Sequence, residues 1–467
     1  MYLDQTQLEQ VLQKIKKREE QESLLELLSL LAVNDVDKNS DKILELLRIY
    51  RRSKVSKYII FDLTQKKEAF FLGRVNNWKI DEKRNAIVLD LGPGLKPIVK
   101  LGTFKGKDIE EIAGILSQLL FLVIRREEKV VKGQKKAKRI VRDVVKELIV
   151  HYVKSDIETA KKLLEKEHPI KLLVDILGYI PDVYPTFRVS LPRIIAFFKI
   201  PINPHYTSAI HLMQLTTPAT GKTTTVLRLM NILNIGYISG GLPTPAKLIY
   251  HSAKNAFGMV YTKDYIVLDE FEKSLSNKQK AVEFISTLQS GLAKGVWVRE
   301  THTPEQLQEI RRDVAFLFFG NIEGKVLKEV GNYREYIRRI LKEKLEEEGI
   351  VNTFLERIAI TDLYAGQSII PFTHKKIYPA PIVKGVFEYL NDVAGTVDTK
   401  NKDFGLSSRH EFQAKQIYKV LRALGVNESL AEDLAKYIVI GDRNVESYYK
   451  ELFKEITGKE PEEIIEL

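Results

Sequence analysis

The chain has 467 residues, 73 Lys+Arg against 62 Asp+Glu, and no Cys. Its length leaves room for two or three domains, and the absence of Cys excludes disulfides and thiolate metal sites. A formal net charge of +11 and a pI near 9.2 point to a polyanionic partner, with nucleic acid first, or to a heavily charged surface of the thermophilic kind.

Residues 1 to about 53 carry leucines at helical spacing, as in Leu24-Leu25-Glu26-Leu27-Leu28, and predict packed helices. Short strands follow at Tyr58–Phe61, Ala69–Leu72, Ala86–Leu89 and Pro97–Lys100, separated by turn residues that include Asn76-Asn77 and Gly92-Pro93-Gly94. A small barrel or sheet is expected there. A basic tract runs from Arg125 to Lys146 and is densest around Lys135, Lys136, Lys138 and Arg139. It reads as a loop or hairpin that contacts a nucleic-acid backbone, or as a solvated linker. Residues 150–205 read as helical and then Pro-interrupted. No run of 18 apolar residues occurs and no signal-peptide pattern opens the chain, so a soluble, cytoplasmic protein without membrane contact is expected.

From about 205 to 320 strands alternate with helices, which predicts a parallel sheet flanked by helices. The strand Ala209–Leu215 leads into Thr216-Thr217-Pro218-Ala219-Thr220-Gly221-Lys222-Thr223, and a helix is predicted over Thr224–Leu233. Strand, loop and helix in this order form a phosphate-binding loop, with ATP and Mg²⁺ as the implied cofactors. Thr216, Pro218, Thr220, Gly221 and Thr224 line it, Lys222 reaches the β- and γ-phosphates, and Thr223 ligates Mg²⁺. Thr216 stands where a Gly is usual. A β-branched residue there restricts the backbone and predicts a reshaped loop or slow turnover.

The apolar run Tyr265–Leu268 ends in Asp269-Glu270. Asp269 is expected to hold the Mg²⁺ shell and Glu270 to polarise the attacking water. The next apolar strand, Val314–Phe319, ends in Gly320-Asn321, and Asn321 is placed to orient that water. A charged helix covers Tyr333–Glu348, and Asn352–Ile360 reads as strand-like. Within it Arg357 is either an arginine finger for a neighbouring subunit or a surface partner of Glu356. Arg409, at the start of an amphipathic helix capped by Ser407 or Ser408, is either a second phosphate-sensing arginine or a surface residue.

This order of parts resembles the AAA+ ATPases, and within them the minichromosome maintenance (MCM) helicases. The likeness rests on the Pro218 loop, on Ser239-Gly240-Gly241-Leu242-Pro243, on Leu268-Asp269-Glu270-Phe271-Glu272-Lys273 and on Leu288–Gly295. A nearer likeness is to the MCM-like ATPase module of the Lon-like protein of BREX phage-defence systems. It is carried by Ser239-Gly240-Gly241, Ala246-Lys247-Leu248, Gly320-Asn321-Ile322 and Phe354-Leu355-Glu356-Arg357. Two family glycines are replaced, at Thr216 and Ala219, and a Lon-type protease domain is not expected. The resemblance implies a ring, hexameric in the family, with Arg357 acting in trans. It also implies that Lys294 tips a hairpin and contacts DNA phosphate. Trp297 and Arg299 alternate with Gly295 and are candidates to flank such a contact, Trp297 by stacking or else as core.

The expected organisation is therefore an α+β N-terminal region over 1–165, an AAA+ core over 166–390, and a helical lid with an acidic tail over 391–467. The expected function is a DNA-dependent ATPase that translocates on or unwinds single- or double-stranded DNA. The alternatives are a DNA-binding ring that uses ATP as a switch, and an inactive scaffold.

Overall fold

A computed structural model describes residues 59–461, with internal exceptions that include 64–67, 92–95, 133–136, 252–255, 300–307, 323–329 and 367–377. The helices expected over residues 1–53, Lys135, Lys136 and the acidic residues after 461 lie outside the described residues. Two compact units are present, one of residues 1–154 with 246–263 and the other of 155–245 with 264–467. The first break thus falls at 154/155 where the sequence placed it after 165. The C-terminal helices also stay with the core rather than separating after 390. Particular bonds account for both: the Asp156 N–H donates to Pro381 O, which ties the residues after 154 to the second unit, and buried Gln416 donates to the carbonyls of Ile200 and Thr207.

The first unit holds β1 (Ile59–Leu63), β2 (Glu68–Gly73), β3 (Asn77–Asp81), β4 (Ala86–Asp90), β5 (Ile98–Lys100), β6 (Leu119–Lys132) and β7 (Ala137–His151). They lie in one sheet in the order β1-β2-β6-β7-β5-β4-β3. Alternation along β4 buries Ile87 and Leu89 with Trp78, Val99, Leu122 and Ile124. Asn77, expected in a turn, instead opens β3. The basic tract is a hairpin, since β6 and β7 pair antiparallel from Leu119↔His151 out to Lys132↔Ala137. Fourteen strand residues make each arm about 45 Å long. Lys138 and Arg139 sit on β7 opposite Val131 and Val130.

The second unit begins its sheet with β8 (Leu212–Thr216) and β9 (Ile235–Ser239). The chain then leaves for residues 246–263, whose β10 (Tyr250–His251) and β11 (Ala256–Phe257) extend the first unit's sheet through Ala256↔Lys79 of β3. It returns as β12 (Tyr265–Asp269), a two-stranded hairpin of β13 (Val296–Arg299) and β14 (Gln308–Arg311), β15 (Ala315–Asn321) and β16 (Ile360–Tyr364). The parallel order is β16-β8-β15-β12-β9. Every residue of β8 and β12 is buried, as expected for parallel strands covered on both faces. This is the predicted α/β class.

The helices used below are α1 (Tyr184–Ala196), α2 (Lys222–Leu229), α3 (Phe271–Ser274), α4 (Lys278–Lys294), α5 (Glu348–Leu355) and α6 (Ser408–Ala423). Asn352–Leu355, expected as strand, belongs to α5, because Val351, Phe354 and Leu355 fall on one buried helical face. Among the described residues no helix is long and apolar enough to cross a membrane.

Candidate functional site

Parallel pairing brings the predicted site residues to one edge. Asn321 and Tyr364 are in register with Thr216, and Asp269 with Ser239. The carboxyl edge of a parallel sheet is where open α/β folds bind ligands.

The loop from β8 to α2 is built for phosphate. Gly221 caps α2 in the left-handed region (φ +71°), and no side chain caps the helix. The first N–H groups of α2 are thus left to an anion. A Cβ at Gly221 would lie 2.4 Å from the Tyr179 hydroxyl, so the position needs glycine. Thr216 is the last extended residue of β8, where a β-branched side chain is at ease. The strain expected there falls instead on Ala219, whose φ is +59°. The Thr216 hydroxyl lies 2.6 Å from that of Thr220 and accepts from Lys222 Nζ at 2.8 Å. Lys222 Nζ also donates to Asn321 Oδ1 at 2.9 Å. Burial, and next Arg193, push the Lys222 ammonium down to about 8. Pro218 and Ala219 form the exposed crest, Thr224 is half-buried, and Thr217 ties the loop to β16 through Tyr364 O and Gly366 O.

The two residues expected to hold Mg²⁺ also meet. Thr223 Oγ1 donates to Asp269 Oδ2 at 3.0 Å, and Tyr237 OH donates to the same oxygen at 2.7 Å. Burial, then the Asp269 bond, push the Tyr237 phenol up to about 12, so it stays a donor. A hydroxyl and a carboxylate meeting at the loop exit fit an Mg²⁺ that takes its other ligands from phosphate and water. Glu270 has φ +56°, a left-handed backbone that is uncommon outside glycine and a mark of functional positions. Its carboxylate is held by Lys273 Nζ at 2.5 Å.

Arg357 and Arg409 lie elsewhere. Arg357 precedes β16 by three residues, at the amino edge, where the Ile360 N–H meets His211 O. Its guanidinium donates to Gln289 O at 2.8 Å and to Thr353 O. Arg409, at the start of α6, donates to Glu356 at 3.0 Å and lines the same recess as Arg357, Tyr206 and Phe412. Burial first, and Arg409 second, hold the Arg357 pKa below its ordinary range. Arg409 therefore does not reach the nucleotide loop of its own chain. The fold pairs it with Arg357 instead.

The residues proposed to touch DNA divide. Trp297 is fully buried, packed at a tilt against Phe316 (5.4 Å between centroids), and its Nε1–H donates to Arg312 O at 2.9 Å. A Cβ at Gly291 would meet its ring at 2.3 Å. Of the two readings left open for Trp297, the structure shows core and not a stacking platform, because Gly291 of α4, Arg312 and Phe316 of β15 pack against it. Lys294 is exposed but ends α4, where Gly295 (φ +67°) terminates the helix. It sits at the root of the β13–β14 hairpin rather than its tip, and residues 300–307 between the strands lie outside the described residues. Arg299 ends β13.

Sequence reasoning missed Tyr179, Arg193, Gln214 and Tyr237, all at the loop or the metal pair. The one available signal was Arg193, a charge isolated in the apolar run Ile194–Phe198 and Val189–Pro192.

The profile of the family described as "Lon-like protease BrxL-like, ATPase domain" matches residues 142–378, just over half of the chain. The chain is 28% identical over 262 residues to the uncharacterized protein ORF425 of Acidianus filamentous virus 2, covering 54% of this chain and 57% of that one. It is 24% identical over 412 residues to the uncharacterized protein 440 of Sulfolobus islandicus rod-shaped virus 1, covering 85% and 86%. It is 27% identical over 295 residues to the uncharacterized protein ORF426 of Acidianus filamentous virus 1, covering 59% and 66%. The chain thus spans less than two thirds of the length of the two filamentous-virus relatives.

Proposed function

From the premise that this chain belongs to the BrxL-like ATPase family, we propose that it is a DNA-dependent AAA+ ATPase of the MCM-like kind, working as a ring, six-membered by the resemblance. One observation carries the reading of a shared site. Lys222 and Asn321 stand at the carboxyl edge of the sheet and Arg357 at the amino edge. The five residues of β8 separate these edges by about 13 Å, before the loop is added. Arg357 completes a phosphate site only in a neighbouring copy, and Arg409 travels with it.

In that site Lys222 and the α2 N-terminus hold the phosphates, and Thr223 and Asp269 hold Mg²⁺, which neutralises phosphate charge when bound. Asn321 orients water, and Glu270 accepts its proton once released from Lys273. Arg357 and Arg409 offset the charge that develops on the γ-phosphate.

DNA is the favoured polyanion because the basic charge is concentrated. The unit of residues 1–154 and 246–263 carries 35 Lys+Arg against 22 Asp+Glu, net +13, whereas the ATPase unit carries 38 against 40. Arg125, Lys138, Arg139 and Lys146 of the β6–β7 hairpin belong to the first unit, and Lys294 is the candidate contact of the second. The viral relatives favour a role in a mobile element's own DNA. A second reading, a ring that binds DNA and uses ATP as a switch, is favoured by the Glu270–Lys273 pair, which occupies the proposed base. Strand displacement on a forked duplex separates the two. Unwinding by wild type that Glu270→Gln abolishes supports the motor; ATP-dependent DNA binding with no displacement supports the switch.

A further inference from the structure

We propose that Arg193 is a buried second cation of the phosphate site, a positioning residue whose counter-charge is the bound nucleotide. This rests on the reading of the loop as an ATP site and goes beyond it by assigning a residue outside every motif of that site.

Helix α1 is buried along almost its whole length and carries two charges, Arg188 and Arg193, both 0% exposed. They are treated differently. Arg188 is neutralised by Asp362 at 2.7 Å and Glu446 at 2.5 Å. Arg193 forms no ion pair among the described residues. Its donors go to neutral acceptors: Gln214 Oε1 at 2.7 Å, Tyr179 OH at 2.6 Å and Thr220 O at 3.0 Å, with the Thr225 and Thr220 hydroxyls at 3.4 and 3.5 Å. The faces of Phe319 and Tyr179 give partial compensation at 5.6 and 6.0 Å.

A buried guanidinium without an ion pair is costly. The surroundings hold it in place. Gln214 donates its amide N–H groups to Asp362 and Val189 O, which turns Oε1 toward Arg193. Tyr179 OH lies 2.8 Å from both Gly221 O and Thr225 Oγ1. Arg193 thus lies directly beneath Thr220-Gly221, on the inner side of the loop whose outer side receives phosphate. Lys222, 7% exposed, is the other cation there. Lys222 has the Asp269 and Glu272 carboxylates near it, whereas Arg193 has no carboxylate partner among the described residues, and a buried guanidinium so placed beneath the loop fits a polyphosphate better than a neutral ligand. The arrangement also supplies attraction where the loop has lost two family glycines.

The test is equilibrium binding of ribose-labelled fluorescent ATP and ADP to the full chain, read by anisotropy, with ligand-free melting measured in parallel. Wild type, R193K, R193M, R193Q and Y179F are compared, with K222A as the reference for a lost site. If charge is the contribution, R193M and R193Q bind ATP about tenfold or more weakly and lose less for ADP, as expected when a desolvated charge beneath the loop is removed. R193K stays within about threefold, and Y179F, which keeps the charge, loses little. Ligand-free R193M melts no more than about 3 °C below wild type, because its lost hydrogen bonds are offset by removal of an unpaired buried charge. R193K as weak as R193M, or losses that follow melting temperature across the series, would make Arg193 a scaffold of the loop and overturn the proposal. Wild type that binds ATP no better than K222A would instead remove the ATP-site reading itself.

Discussion

Lys222→Ala and Arg357→Ala should be inactive alone and active together. Arg357 lies at the amino edge of the sheet, bonded to Gln289 O, while Lys222 lies at the carboxyl edge on Asn321. In the proposed ring, each site would be built from Lys222 of one copy and Arg357 of the next. Loss of an arginine finger lowers turnover by about 10³-fold or more, so each variant ring is close to silent. When the two variants are co-expressed in equal amounts, copies assort at random. A site is whole only where an Arg357→Ala copy supplies Lys222 and its neighbour, a Lys222→Ala copy, supplies Arg357. That probability is about one half times one half, so mixed rings recover about a quarter of the wild-type rate if sites fire independently. Steady-state phosphate release at fixed total protein reads it. Mixed rings no more active than the sum of the two variants would refute the shared site.

Three further outcomes follow from particular residues. His211 is buried and neutral: Nδ1 accepts from the Phe316 N–H, its other nitrogen meets Leu292 O, and burial pushes its pKa down to about 4. Because the folded value lies below the unfolded one near 6.5, its contribution is whole above pH 6.5. It is lost as pH falls toward 4, about 3 kcal/mol in all; denaturant melts at pH 7 and pH 4 that agree, after correction with His211→Gln, would contradict this. Trp297→Ala should cost about 3–5 kcal/mol of stability, whereas a purely DNA-contacting Trp would lower DNA affinity and leave urea unfolding unchanged. Ala219→Gly relieves a left-handed alanine at a partly offsetting entropy cost, a net gain of about 0.5 kcal/mol, and a lower melting temperature would show that the loop relies on that alanine.

Much of the site was legible because it is local. Gly221-Lys222-Thr223, Asp269-Glu270 and Asn321 each end or follow a buried strand, and parallel pairing then brings strand ends to one edge. Lys294 was expected at a hairpin tip, but Gly295 ends the preceding helix and leaves Lys294 at a helix end. What could not be read depends on tertiary neighbours. Trp297 is core because Gly291 leaves room for its ring and β15 brings Phe316 against it, neither of which alternation reveals. The sequence leaves Arg409 open between a phosphate-sensing arginine and a surface residue, and it stands beside Arg357, since α6 starts at the far edge of the sheet. The strands β10 and β11 are two residues each, too short to carry a period, so their joining the N-terminal sheet left no trace in the pattern.

The measurement closest to the central claim is ATP hydrolysis by wild type and Glu270→Gln, with and without single-stranded and duplex DNA, over a range of salt. A DNA-dependent ATPase predicts hydrolysis that rises when DNA is added, falls back as salt weakens the basic unit's grip, and vanishes in Glu270→Gln. Hydrolysis that DNA leaves unchanged at every salt concentration would contradict it.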